Sequence, residues 1–524
     1  LIELVHYAHS KDVEITIDAE EQDRLTLSLN IIEKLALDKV IKNWTGFGIA
    51  LQAYGKRSIN VIHWINKILD KREKMHLRLV KGAYWDYEIK HAQVFGYEDY
   101  PVYSKKSLTD ISFLLCAKEI LKNEKIYAKF ATHNAHTISS VHQLGQGKDY
   151  EFQRLYGMGE LLYQSAEKVL NLEKKPSVYA PIGSYKDLLP YLVRRLLENG
   201  ANSSFINRLL DPETDANWLA ENPAIRIEKE KIDIPLPKNI FTERKNSSGF
   251  DLSENSNLEN LEKSISAHKK NKINAESIYV NRDEKEKVGQ KVYSIANNEE
   301  IGTAIFDDPT NVKSALENFA SEKWSKYSVQ ERSQILIKIS DDIEKDPSEL
   351  IFYLLNEAGK TIQNAIDEIR EAIDFLRYYS RQIIEIHGKK SLQGPTGEIN
   401  KISYSPKGNY LCISPWNFPV AILIGQISAA LACGNNVVVK PSENTSILGY
   451  LIVKKFHENG VPIETLQLIL GDGMYGDVLT KVNTIHGVAF TGSLPTAKKI
   501  QTNLIQHHKE IVPLIAETGG INAM

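Results

Sequence analysis

At 524 residues the chain is longer than one hydrophobic core serves, so two or three domains are expected. Its 64 Lys and Arg against 67 Asp and Glu give a formal charge of -3, which offers no basic footprint for nucleic acid. Cys116, Cys412 and Cys433 lack CxxC spacing, which excludes a disulfide framework, fits a reducing cytoplasm and leaves all three as expected buried apolar residues.

The opening LIELVHYAHS reads as the back half of an amphipathic helix, with neither an initiator Met nor a signal-peptide pattern. Residues 1–210 then alternate short apolar runs with helical stretches. This predicts parallel strands at Glu14–Ile17, Phe47–Gln52, Leu77–Val80, Ile126–Ala131, Glu151–Leu155 and Val178–Ile182. Polar or aromatic residues follow nearly every run, as in Asp18-Ala-Glu-Glu21, Gln52-Ala-Tyr54, Lys81-Gly-Ala-Tyr-Trp85, Thr132-His-Asn134 and Tyr156-Gly157. Strand ends of that kind build the active site of a (β/α)8 barrel. Six strands cannot close eight, so a partial barrel whose first two βα units lie upstream of Leu1 is expected. In the last helix Leu192, Val193, Leu196 and Leu197 form the apolar face and Gly200 the stop. Adjacent Arg194 and Arg195 suit a bidentate grip on a carboxylate, with Glu198 fixing one guanidinium; an exposed helix with one ordinary ion pair is the alternative. His133 and His136 lack the cysteine or acidic partners of a metal site, and no metal is expected.

Together IDAEE at Ile17 to Glu21, RLVKGAYWD at Arg78 to Asp86, FATHNAHT at Phe130 to Thr137, FQRLYGMG at Phe152 to Gly159, YAPIG at Tyr179 to Gly183 and YLVRRLLENG at Tyr191 to Gly200 resemble the proline dehydrogenase family. The resemblance implies a noncovalent FAD across the strand ends, ringed by Gln52, Arg78, Lys81, Gly82, Ala83, Trp85, Thr132, His133, Asn134, Gln153 and Glu198. It places Asp18, Tyr84, Leu155, Tyr179, Arg194 and Arg195 around L-proline, the two arginines on its carboxylate. Arg78 is the expected catalytic cation, because reduction adds negative charge to the flavin ring and a fixed positive charge stabilises it.

Residues 211–278, with Pro212, Pro223, Pro235 and Pro237 and no sustained period, read as a connector on the surface. From Pro309 to His387 the pattern is almost continuously helical, with core-facing stripes at Ile335, Ile339, Ile343 and at Ala365, Ile369, Ile373, Leu376. Glu357-Ala-Gly-Lys360-Thr361 looks like the tail of a phosphate loop but lacks the upstream Gly and strand, so that reading is rejected. Strands at Tyr410–Ile413 and Val437–Val439 around a helix at Ala421–Cys433 make a βαβ unit with its polar residues at the strand ends, where open α/β sheets bind ligands. That helix carries Gly425, Gln426 and Ser428 and falls short of the about 20 apolar residues a membrane span needs. A GxGxxG match at Gly471 to Gly476 is weak alone, and Gly492-Ser493 at a helix start is the better pyrophosphate candidate.

The series SPWNFP at Ser414 to Pro419, KPSE at Lys440 to Glu443, FTGS at Phe490 to Ser493 and ETGG at Glu517 to Gly520 resembles the aldehyde dehydrogenase superfamily, in that family's order. Leu494 and Ala497 depart from its usual GSTxxG. The resemblance implies Asn417 as an oxyanion-hole donor and Glu517 as the general base. It implies Ile413, Pro415, Trp416, Lys440, Glu443, Gly492 and Ser493 around the dinucleotide, and a carboxylate at Glu443 favours NAD over NADP. The family nucleophile is a cysteine beyond ETGG, and the chain is expected to be a fragment truncated at both ends.

The fold class expected is therefore α/β, a partial (β/α)8 proline dehydrogenase barrel (1–210) and connector (211–278) followed by the Rossmann-like NAD-binding part of an aldehyde dehydrogenase (279–524). In that order the two resemble bifunctional enzymes that oxidise L-proline to pyrroline-5-carboxylate with FAD, then glutamate semialdehyde to glutamate with NAD. Expected with them are a membrane quinone as electron acceptor, peripheral contact with the inner membrane face of a cytoplasmic protein, and a homo-oligomer. The alternatives are a catalytically incomplete fragment and a regulatory member of the family whose DNA-binding segment lies outside this sequence, since no nucleic-acid contact is expected from the sequence itself.

Overall fold

The computed structural model describes residues 1–200, 221–229, 234–282, 287–317, 319, 321–388 and 391–520, with only the backbone of residues 194–200, 229 and 391. It forms two compact units. The first comprises Leu1–Val94, Asp99–Pro237 and Ser253–Asn255, the second Phe95–Glu98, Lys238–Leu252 and Ser256–Met524.

In the first unit, strands β1 (Ile15–Ile17), β2 (Phe47–Gln52), β3 (Met75–Val80), β4 (Ile126–Ala131), β5 (Tyr150–Leu155) and β6 (Ser177–Tyr179) make one sheet in sequence order. Every pairing is parallel, from Ile15 against Phe47 to Leu155 against Tyr179. The helices between them are α1 (Ile2–Ser10), which precedes the sheet, α2 (Leu25–Ala36), α3 (Ser58–Leu69), α4 (Trp85–Phe95), α5 (Lys106–Ile120), α6 (Ala135–Leu144) and α7 (Glu160–Leu170); α8 (Tyr185–Gly200) follows β6. Apolar side chains of the central strands and of the facing helix stripes, such as Ile49, Leu77 and Phe130 against Ile62, Ile65 and Phe113, close into one core. Such burial, at about 25 cal/mol per Å² of apolar surface, holds β2, β3 and β4 in place.

The stretch read as a connector contributes α9 (Pro223–Lys229), α10 (Asn255–Ser266) and β7 (Ile273–Glu276). Its middle is not superficial, because Asn246 and Ser247 are buried. Asp374 accepts hydrogen bonds from Arg244, Ser247 N and Ser247 Oγ, and Glu344 accepts one from Ser248 N. Strand β7 pairs parallel with β9 (Glu300–Asp307), which pairs antiparallel with β8 (Lys287–Tyr293).

Next come α11 (Pro309–Glu317), α12 (Val329–Lys345), α13 (Ser348–Asn356) and α14 (Ile362–His387), a helical tract interrupted by short turns. Ile339, Ile343, Ala365, Ile369, Ile373 and Leu376 are buried as their spacing predicts, while Ile335 is only partly covered. A short hairpin, β10 (Ser391–Leu392) and β11 (Asn400–Lys401), leads into the main sheet. That sheet comprises β12 (Asn409–Ile413), β13 (Asn436–Lys440), β14 (Leu466–Leu468), β15 (Ile485–Thr491) and β16 (Leu514–Glu517), all parallel, in the order β14-β13-β12-β15-β16. Its crossovers are α15 (Ala421–Ala432), α16 (Ser446–Glu458), α17 (Gly473–Leu479) and α18 (Leu494–His507). Chain order reverses at β12, so the crevice at the ends of β12 and β15 is the switch point where such sheets take ligands.

The expectation that all three cysteines are buried is also corrected. Cys116 and Cys412 are buried, but Cys433 is exposed, because α15 ends at Ala432 and Cys433 occupies the helix C-cap, outside the apolar face.

Candidate active sites

In the first unit the strand-end residues bind one another across loops. Arg78, on β3, donates to Asp18 Oδ1 at 2.8 Å, and its guanidinium lies 5.5 Å from the Tyr179 ring centroid. Buried Gln52 uses both ends of its amide: Nε2 donates to Glu20 O (2.7 Å) and Oε1 accepts from Ala83 N (3.0 Å). One side chain thus ties the loops after β1 and β3 to β2. Lys81 pairs with Asp110, Tyr84 Oη donates to Glu20 Oε2 (2.5 Å), and Trp85 Nε1 donates to Tyr103 O (2.8 Å). Gly82 stands at φ 141°, and a Cβ there would meet the Tyr54 ring at 2.4 Å, so both conformation and space demand glycine.

After β4, Thr132 Oγ1 accepts from Asn134 N, and Asn134 caps α6 by accepting from Thr137 N. His133 Nε2 accepts from Leu155 N at 3.2 Å, a structural tie of the β4 end to the β5 end. Leu155 is buried and Tyr179 ends β6. Arg194, Arg195 and Glu198 lie on the backbone of α8, and their side chains fall outside the described residues.

These groups fit a flavin. They converge at the C-terminal ends of parallel strands, Arg78 supplies a cation, and Gln153 Oε1 is buried without a hydrogen-bond partner, an acceptor left for a ligand donor.

In the second unit Pro415, Trp416, Asn417, Ile422, Thr491, Gly492, Glu517, Thr518 and Gly519 line a cleft of about 370 Å³ at the ends of β12, β15 and β16. Asn417 and Glu517, a hundred residues apart in sequence, face the same space, and both are exposed to it. Glu517 Oε2 accepts from Thr491 Oγ1 at 3.1 Å, and that hydroxyl accepts from Gln426 Nε2 at 3.2 Å. Backbone pairing reinforces the contact, since Gly492 N donates to Glu517 O. Gln426 Oε1 and Ser414 Oγ are buried without partners beside this floor.

Lys440, at the end of β13, is 4% exposed, with Nζ 3.1 Å from Pro441 O and 3.8 Å from Glu443 Oε2. Burial draws its pKa down, and Glu443 opposes the shift. Ser493 caps α18, accepting from Thr496 N, and a Cβ on Gly492 would come 2.6 Å from the Phe490 ring. The turn therefore stays bare, and the N-terminus of a 14-residue helix opens beside the cleft, a fit for pyrophosphate and hence for the dinucleotide. Asp472 merely caps α17, a seven-residue helix that begins within the GxGxxG match.

Several contributing residues carry no role that the motifs assign. Glu88 accepts from Gln22 N at 2.8 Å and anchors the loop carrying Asp18 and Glu20; burial pushes its pKa up to about 7. Asp110, Gln426 and Thr491 act likewise on Lys81 and Glu517. Thr491 was legible as the residue between two motif positions, whereas Glu88, Asp110 and Gln426 sit on helices, where a polar residue reads as solvated. Among the described residues no cluster of His, Cys, Asp or Glu is arranged for a metal ion, and no helix is long and apolar enough to cross a membrane.

Two parallel sheets each gather polar side chains at their strand ends, Arg78, Asp18 and Tyr179 in the first and Asn417 and Glu517 in the second. Residues 1–208 match the proline dehydrogenase family and residues 279–524 the aldehyde dehydrogenase family. The bifunctional protein PutA of Salmonella typhimurium is 40% identical over 99% of this chain and 40% of its own length. A solved mutant of Bradyrhizobium japonicum proline utilization A superposes with a TM-score of 0.89 at 39% identity, over 99% of this chain and 51% of that one. Proline utilization A of Bdellovibrio bacteriovorus, solved after inactivation by N-propargylglycine, gives a TM-score of 0.90 at 28% identity, over 99% and 55%. The chain is similar along nearly its whole length to these bifunctional PutA proteins and spans about 40% of the length of the curated PutA relatives it matches.

Proposed function

We propose that the protein to which this chain belongs oxidises L-proline to glutamate in two steps, with FAD at the first site and NAD at the second. The observation carrying this reading is the convergence of Asn417 and Glu517 on one cleft, on the same chain as a proline dehydrogenase sheet whose strand ends gather Arg78, Asp18 and Tyr179.

At the first site Arg194 and Arg195 hold the proline carboxylate, a charge-assisted grip, while Asp18, Tyr84, Leu155 and Tyr179 enclose the ring. Gln52, Lys81, Gly82, Ala83, Trp85, Thr132, His133, Asn134, Gln153 and Glu198 hold FAD, with Arg78 as its fixed cation. FAD, when bound, supplies the acceptor for the two electrons that leave proline as pyrroline-5-carboxylate forms. Hydrolysis opens this imine to glutamate semialdehyde, so the product of one site is the substrate of the next.

At the second site Lys440 and Glu443 hold the ribose, Gly492 and Ser493 the pyrophosphate, and Ile413, Pro415 and Trp416 line the dinucleotide path. NAD, when bound, supplies the oxidant for the semialdehyde. Asn417 donates a hydrogen bond to the oxyanion that forms when a thiol attacks the aldehyde carbon. Glu517 takes the proton from the water that releases the acyl group as glutamate. The domains proposed are 1–210 and 279–524 with 211–278 between them.

A membrane quinone is the acceptor that would reoxidise the flavin. This makes the protein a cytoplasmic one that visits the inner membrane face, and a homo-oligomer is expected. Full-length gene product should form NADH from proline when a quinone is present. Absence of both quinone reduction and added vesicle affinity in proline-reduced protein would refute the membrane part, and absence of NADH from pyrroline-5-carboxylate the second step.

A further inference from the structure

The rejected phosphate-loop tail, Glu357-Ala-Gly-Lys360-Thr361, has a different use. Thr361 caps α14 by accepting from Asn364 N. Glu357 is fully buried and accepts from Ile447 N (2.8 Å) and Leu448 N (2.9 Å) in the first turn of α16, the helix that follows Lys440 to Glu443. Lys360 reaches a second buried carboxylate, Glu368 on α14.

Glu368 is 1% exposed. Its Oε1 accepts from Val420 N (2.8 Å) and Ala421 N (3.3 Å), the entry of α15. Its Oε2 lies 3.0 Å from Lys360 Nζ, an ion pair without the alignment of a hydrogen bond. Lys360 Nζ also sits 3.8 Å from the centroid of the Phe418 ring. Removing a carboxylate from water costs several kcal/mol, an expense that a surface cap would avoid. Here two backbone donors, a helix N-terminus and an ammonium together offset it. Phe418, held by its ring, and Val420, held by its backbone N–H, flank Pro419 and lie one and three residues after Asn417, so the segment on the C-terminal side of Asn417 is held at two points within three residues.

We infer that Lys360 and Glu368 are positioning residues for Asn417, a buried ion pair that clamps the loop after β12 so that the Asn417 amide meets the developing oxyanion. This rests on the oxyanion reading of Asn417 given above. Neither residue lines the cleft; both act through the loop, and a displacement of about 1 Å in such a donor is enough to cost up to about 10²-fold in rate.

The test uses full-length gene product, with NADH formation from pyrroline-5-carboxylate normalised to titrated NAD-binding sites. Glu368→Gln keeps an acceptor for the two amides but breaks the ion pair, and Lys360→Met keeps the stem but removes the charge. Each should lower kcat about tenfold and leave KM for NAD within about twofold, while Lys360→Arg restores most of the rate. In the Asn417→Ala background, Glu368→Gln should slow the enzyme by no further factor beyond about twofold, because it acts through a group already gone. Multiplying losses, or an unchanged kcat in both single variants with only the melting temperature lowered, would overturn the inference while Asn417→Ala still fails. An unchanged kcat in Asn417→Ala itself overturns the oxyanion reading and this inference with it.

Discussion

The two sheets solve the same problem in opposite ways. At the flavin-like site the ligand-facing groups are committed to each other: Arg78 to Asp18, Lys81 to Asp110, Tyr84 to Glu20, and Gln52 to two loops at once. At the dinucleotide-like site Asn417 and Glu517 are exposed to the cleft, the Glu517 carboxylate held by the Thr491 hydroxyl, and the buried carboxylates Glu357 and Glu368, the latter paired with Lys360, hold backbone outside its lining. In the first arrangement a ligand must exchange with existing ion pairs, so charge on the protein tunes affinity. In the second the Asn417 amide is exposed as a donor, which suits an oxyanion that exists only briefly.

The sharpest way to break this comparison is to ask for chemistry where, among the described residues, no cysteine lines the cleft. Cys412 is buried with its thiol pushed up to about 12, and neither it nor Cys433 lines the cleft. A polypeptide of residues 1–524 should therefore form no NADH from pyrroline-5-carboxylate, and any turnover above background assigns the nucleophile to one of these cysteines. In full-length gene product, Asn417→Ala or Glu517→Ala should lower kcat for NADH formation by about 10²-fold or more, with proline-dependent dye reduction unchanged. At the committed site, Arg194→Met or Arg195→Met should raise KM for proline by about tenfold or more, measured with an artificial electron acceptor. Wild-type KM in both would remove the arginines from the proline site.

The smallest effect concerns stability. Burial alone would raise Glu344, but Arg377, Lys245 and Ser248 N hold it down at about 2, below its ordinary 4.5. A depressed folded pKa means the stabilisation is complete above pH 4.5 and fades as pH falls towards 2. Glu344→Gln should lose on the order of a few kcal/mol at pH 7 and little near pH 2, read as converging melting temperatures on acidification.

What the sequence discloses follows the same division. Apolar runs and their polar ends place β1 to β5, β12, β13 and the start of α18 to within about two residues, because burial leaves central parallel strands few other compositions, whereas β6, expected at Val178–Ile182, ends at Tyr179. Motif residues are legible because chemistry limits them. The anchors are not: Glu368 lies between Ala365 and Ile369 on an apolar stripe, and a charge in that position reads as helix propensity unless burial of a carboxylate is considered. That interruption of the stripe was the available signal. Lys360 was hidden by its likeness to a phosphate-loop lysine, and Cys433 was misplaced because helix ends are the least certain boundaries.

Strand order has a consequence for how such a chain leaves the ribosome. The first sheet pairs each strand with the one made just before it, so its growing edge is always the newest strand. Strand β12 pairs with β13 almost at once, but its other edge stays open until residues 485–491 arrive as β15, and Glu517 reaches Thr491 only after β16 closes the row. During that interval the buried strand Leu411–Cys412 presents a bare hydrogen-bonding edge of the kind that recruits other chains. A translation pause between residues 440 and 485 is therefore expected to lower soluble yield, because it prolongs the exposure of the strand that leads to Asn417.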